Sequence, residues 1–138
     1  MRKKHFTLLT VLSAIFFSAG AIAQNQPLAC LSDKRAGLSW ENGQWVVSSF
    51  VPTKFILVQT KDGLTSESVA KATDALVDHV MCRSNFNKTL TTCHDPHGGF
   101  LMFSPKNLKG GISQLMGATV TGNSRDTPSV TAFSCTPF

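Results

Sequence analysis

The segment Cys93–Gly99 holds the densest group of side chains that can do chemistry. His94, Asp95 and His97 bring two imidazoles and a carboxylate together, and Pro96 and the two glycines are typical of a turn. A polar turn after a disulfide is the simpler interpretation. Because turns on a rigid sheet often carry binding contacts, and because imidazoles change charge near neutral pH, the functional hypothesis is a recognition loop formed by these three residues.

The same region contains the donor types of a zinc site. His79-x-x-Cys82 and Cys93-His94-x-x-His97 together offer two thiols and three imidazoles, which tetrahedral zinc accepts. The export signal predicted below would deliver the chain to an oxidising compartment, which favours disulfides over thiolates, and Asp95-Pro96 is typical of a turn rather than a zinc knuckle. We therefore expect no metal and no other cofactor.

Hydrolysis by a serine nucleophile is the enzymatic alternative. Ser113 follows Gly111-Ile112, but the second glycine of the nucleophile-elbow pattern G-x-S-x-G is missing. The eight acidic residues are scattered, and no spacing selects a pair for glycoside hydrolysis. We predict no catalytic residue, with a small envelope hydrolase using His94 or His97 and Ser113 as the alternative.

Residues 1–23 are typical of a cleavable export signal. They combine a basic start, an apolar stretch over Leu8–Phe17 and the A-x-A sequence Ala21–Ala23. We predict that residues 24–138 form a single exported domain, periplasmic or secreted. Lipidation of Cys30 is the alternative, which the residues before this cysteine disfavour.

Composition and charge narrow the range of partners. Hydrophobic residues make up 42% and charged residues 15% of the chain, which is not the composition of a disordered protein. Removing the three signal cations from 13 Lys and Arg leaves ten against eight acidic residues, a net charge of +2. We therefore expect no nucleic-acid binding. Because no stretch after the signal is long and apolar enough to span a bilayer, we also expect no membrane association after cleavage.

The four cysteines predict two disulfides in an exported domain of this size. Three connectivities are open, and we favour Cys30–Cys135 with Cys82–Cys93. The first would join the two ends of the domain and the second would close a short loop.

Asn42-Gly43 is the strongest local structural signal, because this dipeptide favours a type I′ two-residue hairpin. Strands over 38–41 and 44–47 would place Trp40 opposite Trp45. We expect their apolar face to lie against the core, with the two indoles as a core pair.

The rest of the chain predicts one helix and several strands. The helix is expected from Thr65 or Ser66 through Met81, since Val69 and Val80 belong to a row of apolar residues at helical spacing. The other predicted strands are Phe55–Val58 (buried on both faces), Phe100–Phe103, Leu115–Val120 and Ser129–Thr136. The fold class is mainly β (α+β): an antiparallel sheet or small barrel with one amphipathic helix, stapled by disulfides.

The stretch Trp40–Trp45, with Phe50 and Lys54–Ile56 after it, resembles small exported proteins of Gram-negative bacteria, and so does Arg125–Cys135. Those proteins carry a W-x-x-G-x-W hairpin and end just after a last cysteine. The resemblance implies an exported single domain with paired end cysteines. It implies no functional residues, because the group has no assigned activity.

These observations favour a non-enzymatic binding or inhibitor-like module of the cell envelope, with an envelope or extracellular protein as its partner. A structural envelope protein is the remaining alternative. Periplasmic lysozyme inhibitors share this small, cysteine-linked format, but their S-G-x-x-Y loop requires a tyrosine, and this chain has none.

Overall fold

A computed structural model describes residues 25–115 and 127–138, so the predicted signal lies outside the described residues. Within them, one sheet of nine antiparallel strands accompanies a short α-helix and one turn of 3-10 helix. The strands are β1 (Gln26–Glu41), β2 (Gln44–Ser49), β3 (Lys54–Thr60), β4 (Gly63–Leu64), β5 (Met81–Ser84), β6 (Thr91–His94), β7 (Gly99–Ser104), β8 (Lys109–Gln114) and β9 (Ser129–Pro137). The helix α1 covers Ser66–Thr73, and the 3-10 turn covers Val77–His79.

The sheet curls into a nearly closed barrel. Its strand order is β4-β3-β1-β9-β8-β7-β6-β5, and β2 pairs with the second half of β1. The two ends of this order meet where the Ser84 hydroxyl on β5 donates to the carbonyl of Asp62, 3.1 Å away, next to β4. The predicted fold class, an antiparallel sheet or small barrel with one helix and disulfide bonds, is confirmed.

The core lies inside the barrel, because successive side chains on a strand point to opposite faces and one face of each strand is turned inward. Its largest fully buried members are Leu28, Leu57, Leu101, Phe103 and Phe133. The Phe133 and Phe103 rings are 6.3 Å apart in a stacked arrangement. Gly110 lies beneath the Phe133 ring, and a Cβ there would collide with it, so this approach requires glycine.

The helix packs against β3, and its last residue is hydrogen-bonded to β8. Its first turn is capped by Thr65, whose hydroxyl accepts from the Ser68 N–H at 3.3 Å. The Ser68 hydroxyl in turn accepts from the Val58 N–H on β3 at 3.0 Å. At the other end, the Gln114 side chain on β8 donates to the Thr73 carbonyl at 2.7 Å.

The predicted extension of this helix to Met81 is wrong. The chain leaves the helix at Asp74, which has a left-handed φ of 56°, and Met81 begins β5. Leu76, which has the same helical spacing from Val69 and Val80 in the sequence, is 64% exposed. The short connection to β5 and the pairing of β5 with β6 override the helical spacing of the sequence.

Both predicted disulfides are present, and each joins directly opposed residues on neighbouring strands. Cys30 on β1 faces Cys135 on β9, and Cys82 on β5 faces Cys93 on β6. The first bond therefore fastens the two ends of the domain to each other. The second holds the β5–β6 hairpin closed.

The Asn42-Gly43 hairpin forms in the predicted register, with Trp40 opposite Trp45 and positive φ at both turn residues. The two indoles make an edge-to-face contact at 5.0 Å. Their predicted position in the core is wrong, because this hairpin extends past the barrel; Val47, on the same face, is 84% exposed. The apolar alternation here stabilises the hairpin itself.

Of the other predicted strands, two are confirmed, one is present but more exposed than predicted, and one lies mostly outside the described residues. Phe100–Phe103 and Ser129–Thr136 lie within β7 and β9. Phe55–Val58 lies in β3, but the expected burial on both faces is wrong, since Ile56 is 52% exposed. Most of the strand predicted over 115–120 falls outside the described residues.

Candidate functional site

A one-residue bulge in β1 decides which cation enters the barrel. The pairing with β9 shifts between Ser32 and Lys34, so inward-facing Ser32 is followed by outward-facing Lys34. Arg35 is then directed inward, opposite buried Thr131. Without the bulge, strict alternation would place Lys34 inside and Arg35 outside.

The Arg35 guanidinium is held by neutral groups on three sides. Its Nη2 donates to Gln114 Oε1 at 3.2 Å and to the Ser129 hydroxyl at 3.4 Å, and its Cζ lies 5.1 Å from the centre of the Phe50 ring. Because the Gln114 amide nitrogen donates to the Thr73 carbonyl, its oxygen is left to face Arg35. The side chain is thus oriented by β8, β9 and the end of α1 together.

Arg35 lines a cavity of about 680 Å³ between the last turn of α1 and the inner face of β1, β8 and β9. The apolar part of the lining includes Phe55, Leu76, Ile112 and Leu115, and Thr131 adds a hydroxyl. Among the described residues, the other ionisable side chains that line it belong to Lys54, Lys71, Asp74, Asp95 and His97. Two of the three predicted binding residues therefore border this cavity.

Asp95 and His97 share the turn between β6 and β7. The Asp95 carboxylate, with a side chain only 7% exposed, accepts from the His97 backbone N–H at 2.7 Å and lies 3.6 Å from His97 Nδ1. It packs against Gly99, where a Cβ would collide with Oδ2. The His97 ring is half exposed and lies 5.3 Å, between centroids, from the ring of His79. Asp95 is thus a positioning residue, and His97 is the group available to a ligand.

Lys71, on the helical side of the cavity, is already paired. Its ammonium donates to Glu67 Oε1 at 2.7 Å in an exposed i,i+4 ion pair. This hydrogen bond and the charge of Lys71 lower the pKa of the Glu67 carboxyl below its ordinary value. Lys71 is therefore partly neutralised by its neighbour, whereas the partners of Arg35 given above are uncharged.

His94 and Ser113 lie on the outer face of the sheet, away from the cavity. Each is directly opposite Phe100, from the two sides of β7. Their backbones are therefore two strand spacings apart, roughly 9–10 Å. His94 therefore does not line the cavity that Asp95 and His97 border, and Ser113 is too far from His94 to form a nucleophile–base pair with it.

Within residues 25–115 and 127–138, no group of three or more His, Cys, Asp or Glu side chains is arranged to hold a metal ion. The two thiols of the disfavoured zinc alternative, those of Cys82 and Cys93, are joined to each other in a disulfide. In the same residues, no helix has the length and hydropathy of a membrane span.

Sequence reasoning missed Arg35 and Gln114. Arg35 stood beside Lys34 as one of two adjacent cations, and only the bulge distinguishes them. Gln114 carries no motif, and its role depends on the end of α1 lying next to β8.

Comparison with known protein families, with characterised proteins and with solved structures finds no match to this chain.

Proposed function

We propose that the protein is an exported, non-enzymatic binding module whose ligand occupies the cavity beside α1 and presents a negatively charged group to Arg35. The observation that carries this proposal is the cavity with an oriented guanidinium in its wall. Its volume of about 680 Å³ is within the range of small-molecule sites.

The chemistry of the lining favours an organic anion. A guanidinium stays charged at all physiological pH values and binds carboxylates through paired hydrogen bonds. The surrounding Phe55, Ile112 and Leu76 favour a ligand with an apolar body. Because Gln114 and Ser129 orient Arg35 beforehand, less side-chain entropy is lost when the ligand binds.

Binding rather than catalysis is supported by the distribution of reactive groups. Among the described residues that line the cavity with Asp95 and His97 there is no serine or cysteine. Ser113 faces the other side of the sheet. In this proposal Asp95 holds the turn, His97 contacts the ligand, and His94 takes no part at the cavity.

Export through a cleaved signal over residues 1–23 belongs to the same proposal. Two disulfides support an oxidising compartment, which is the periplasm or the exterior of the cell. We expect the intact mass of protein recovered from the periplasm to correspond to a chain that begins at Gln24. An N-terminus at Met1, or a lipid on Cys30, would contradict this part.

The binding proposal is tested by NMR titration of the secreted, disulfide-bonded protein with benzoate and octanoate, and with the uncharged amides of the same acids. We expect the acids to shift backbone resonances of Ile112, Gln114 and Thr131 more strongly than the amides. Arg35→Gln should weaken binding of the acids about tenfold or more, since hydrogen bonds to charged groups contribute about 1.5–3 kcal/mol. Lys34→Gln is the matched control, because it removes the same charge from the opposite face.

Three results would refute this proposal. They are equal binding of acids and amides, an equal effect of Lys34→Gln, and the lack of any shift at the cavity with every member of the panel. Thermal unfolding of both variants shows whether a loss of binding follows from a loss of fold.

A further inference from the structure

The tip of the β5–β6 hairpin presents a phenylalanine to solvent. Phe86 has a relative exposure of 106%, compared with 77% for Phe138 at the chain terminus. Single exposed apolar side chains are common on protein surfaces and need no explanation by themselves. Phe86 differs from an ordinary exposed side chain because hydrogen bonds and a disulfide fix the hairpin that carries it.

Four hydrogen bonds fix this loop from within. The Asn85 N–H donates to the Leu90 carbonyl at 2.9 Å, and the Leu90 N–H donates to Asn85 Oδ1 at 3.0 Å. Asn85 Nδ2 donates to the Thr89 hydroxyl at 2.9 Å, and the Lys88 N–H donates to the Asn85 carbonyl at 2.9 Å. One asparagine thus ties together both sides of the turn that displays Phe86.

The base of the hairpin is fastened as well. The Cys82–Cys93 disulfide joins its two strands below the tip. The Lys88 ammonium donates to the Lys61 carbonyl at 2.8 Å, and the Ser84 hydroxyl donates to the Asp62 carbonyl at 3.1 Å. The tip is therefore anchored to the β3–β4 turn, at the end of β5–β8 opposite the Asp95 cavity.

We infer that Phe86 is the anchor of a protein–protein interface and enters an apolar pocket on a partner protein. A rigid aromatic side chain brings a large apolar surface to an interface with little loss of conformational entropy. The exposed Lys, Arg and acidic residues of the β5–β6 hairpin and of the β3–β4 turn beneath it are Arg83, Lys88 and Lys61, against the carboxylate of Asp62. This excess of positive charge favours a partner whose pocket is rimmed by carboxylates.

The tip fits a protein pocket better than a lipid bilayer. Asn85, Asn87, Lys88 and Thr89 surround Phe86, so the apolar surface at the tip is one ring. Binding to the membrane interface increases with buried apolar area and uses a broad apolar face. A single ring among amides and hydroxyls matches instead the anchor residues that fill pockets at the centre of protein interfaces.

The inference is tested by site-specific photocrosslinking in the organism that produces the protein. The full chain carries p-benzoylphenylalanine in place of Phe86 or, as the matched control, in place of Phe138. We expect one discrete protein adduct from position 86 and none of that mass from position 138. The partner identified by peptide mapping is then purified for titration calorimetry with the exported protein.

We expect Phe86→Ala to weaken this complex about 10- to 100-fold, as truncation of an anchor residue does, while Phe138→Ala changes the Kd less than twofold. Asn85→Ala, which keeps the ring and removes its two side-chain bonds, should weaken the complex less than Phe86→Ala. The Kd should also rise with salt concentration, because the proposed rim is charged. Arg35→Gln should leave the Kd unchanged, so this test is independent of the cavity.

Several results would overturn the inference. An adduct between two copies of this chain would assign the tip to self-association. Flotation of the protein with phosphatidylethanolamine–phosphatidylglycerol vesicles, lost in Phe86→Ala, would assign it to a membrane. Absence of an adduct at position 86, or an unchanged Kd for Phe86→Ala with an unchanged melting temperature, would leave Phe86 as an ordinary surface residue.

Discussion

The two disulfides differ in what they constrain, and this difference predicts unequal effects on stability. Replacing Cys30 and Cys135 together by alanine opens a link between residues 105 positions apart. Replacing Cys82 and Cys93 together opens a link between residues 11 positions apart. In the folded barrel both links join directly opposed residues of neighbouring strands, so their native environments are comparable.

The magnitude follows from the conformational entropy that each link removes from the unfolded chain. The chain-entropy relation gives about 4.7 kcal/mol for the longer loop and about 2.8 kcal/mol for the shorter one at 25 °C. Both double variants also lose buried sulfur, so the difference between them, about 2 kcal/mol, is the firmer expectation. Against a domain stability of about 5–15 kcal/mol, loss of the longer link removes between about a third and nearly all of the free energy of unfolding.

Urea unfolding followed by far-ultraviolet circular dichroism measures this difference. We expect the free energy of unfolding to fall in the order wild type, Cys82/Cys93 variant, Cys30/Cys135 variant. The slopes against urea concentration report how compact each unfolded chain is, and they should be larger for the variants. An equal loss in both variants, or a larger loss for Cys82/Cys93, would refute the entropic reasoning and would place the stabilisation in native contacts.

Two further predictions concern the hairpin turn and the surface ion pair. Gly43→Val should lower the free energy of unfolding by about 1–2 kcal/mol, because position 43 has a positive φ of 82°. A Cβ there meets no other atom, so backbone strain is the whole effect. Asn42→Gly should be nearly neutral, and a neutral Gly43→Val would contradict the assigned turn. The pKa of Glu67 measured by NMR should lie below its ordinary value, and it should return toward that value in Lys71→Met but not in Lys61→Met. Because the folded state favours the ionised carboxylate, this small stabilisation is present above the unfolded pKa and is lost as the pH falls through the folded pKa. An ordinary pKa in the wild type would refute the prediction.

Several elements could be predicted from the sequence because the interactions that define them are local. Asn42-Gly43 favours positive φ at both positions, which is enough to set the hairpin register with Trp40 opposite Trp45. Thr65 caps α1 through a contact only three residues away. The favoured disulfide pairing rested on the separation of the cysteines along the chain, and two other connectivities were open.

The candidate binding residues were only partly predictable. Asp95 and His97 stand together because they share one short turn, which composition alone indicates. His94, next to them in sequence, belongs to β6 and therefore faces the outside of the barrel. The end of β6 falls between His94 and Asp95, so His94 points outward with its strand while Asp95 and His97 lie in the turn that follows.

The elements that depend on distant partners were decided by tertiary structure. The helix ends at Thr73 rather than Met81 because Met81–Ser84 pairs with β6, and pairing energy outweighs helical spacing. The hairpin of Trp40 and Trp45 extends past the barrel, because β2 pairs only with the second half of β1. Arg35 lines the cavity instead of Lys34 because a single bulge reverses which face each residue of β1 presents, and the position of a bulge depends on the partner strand β9.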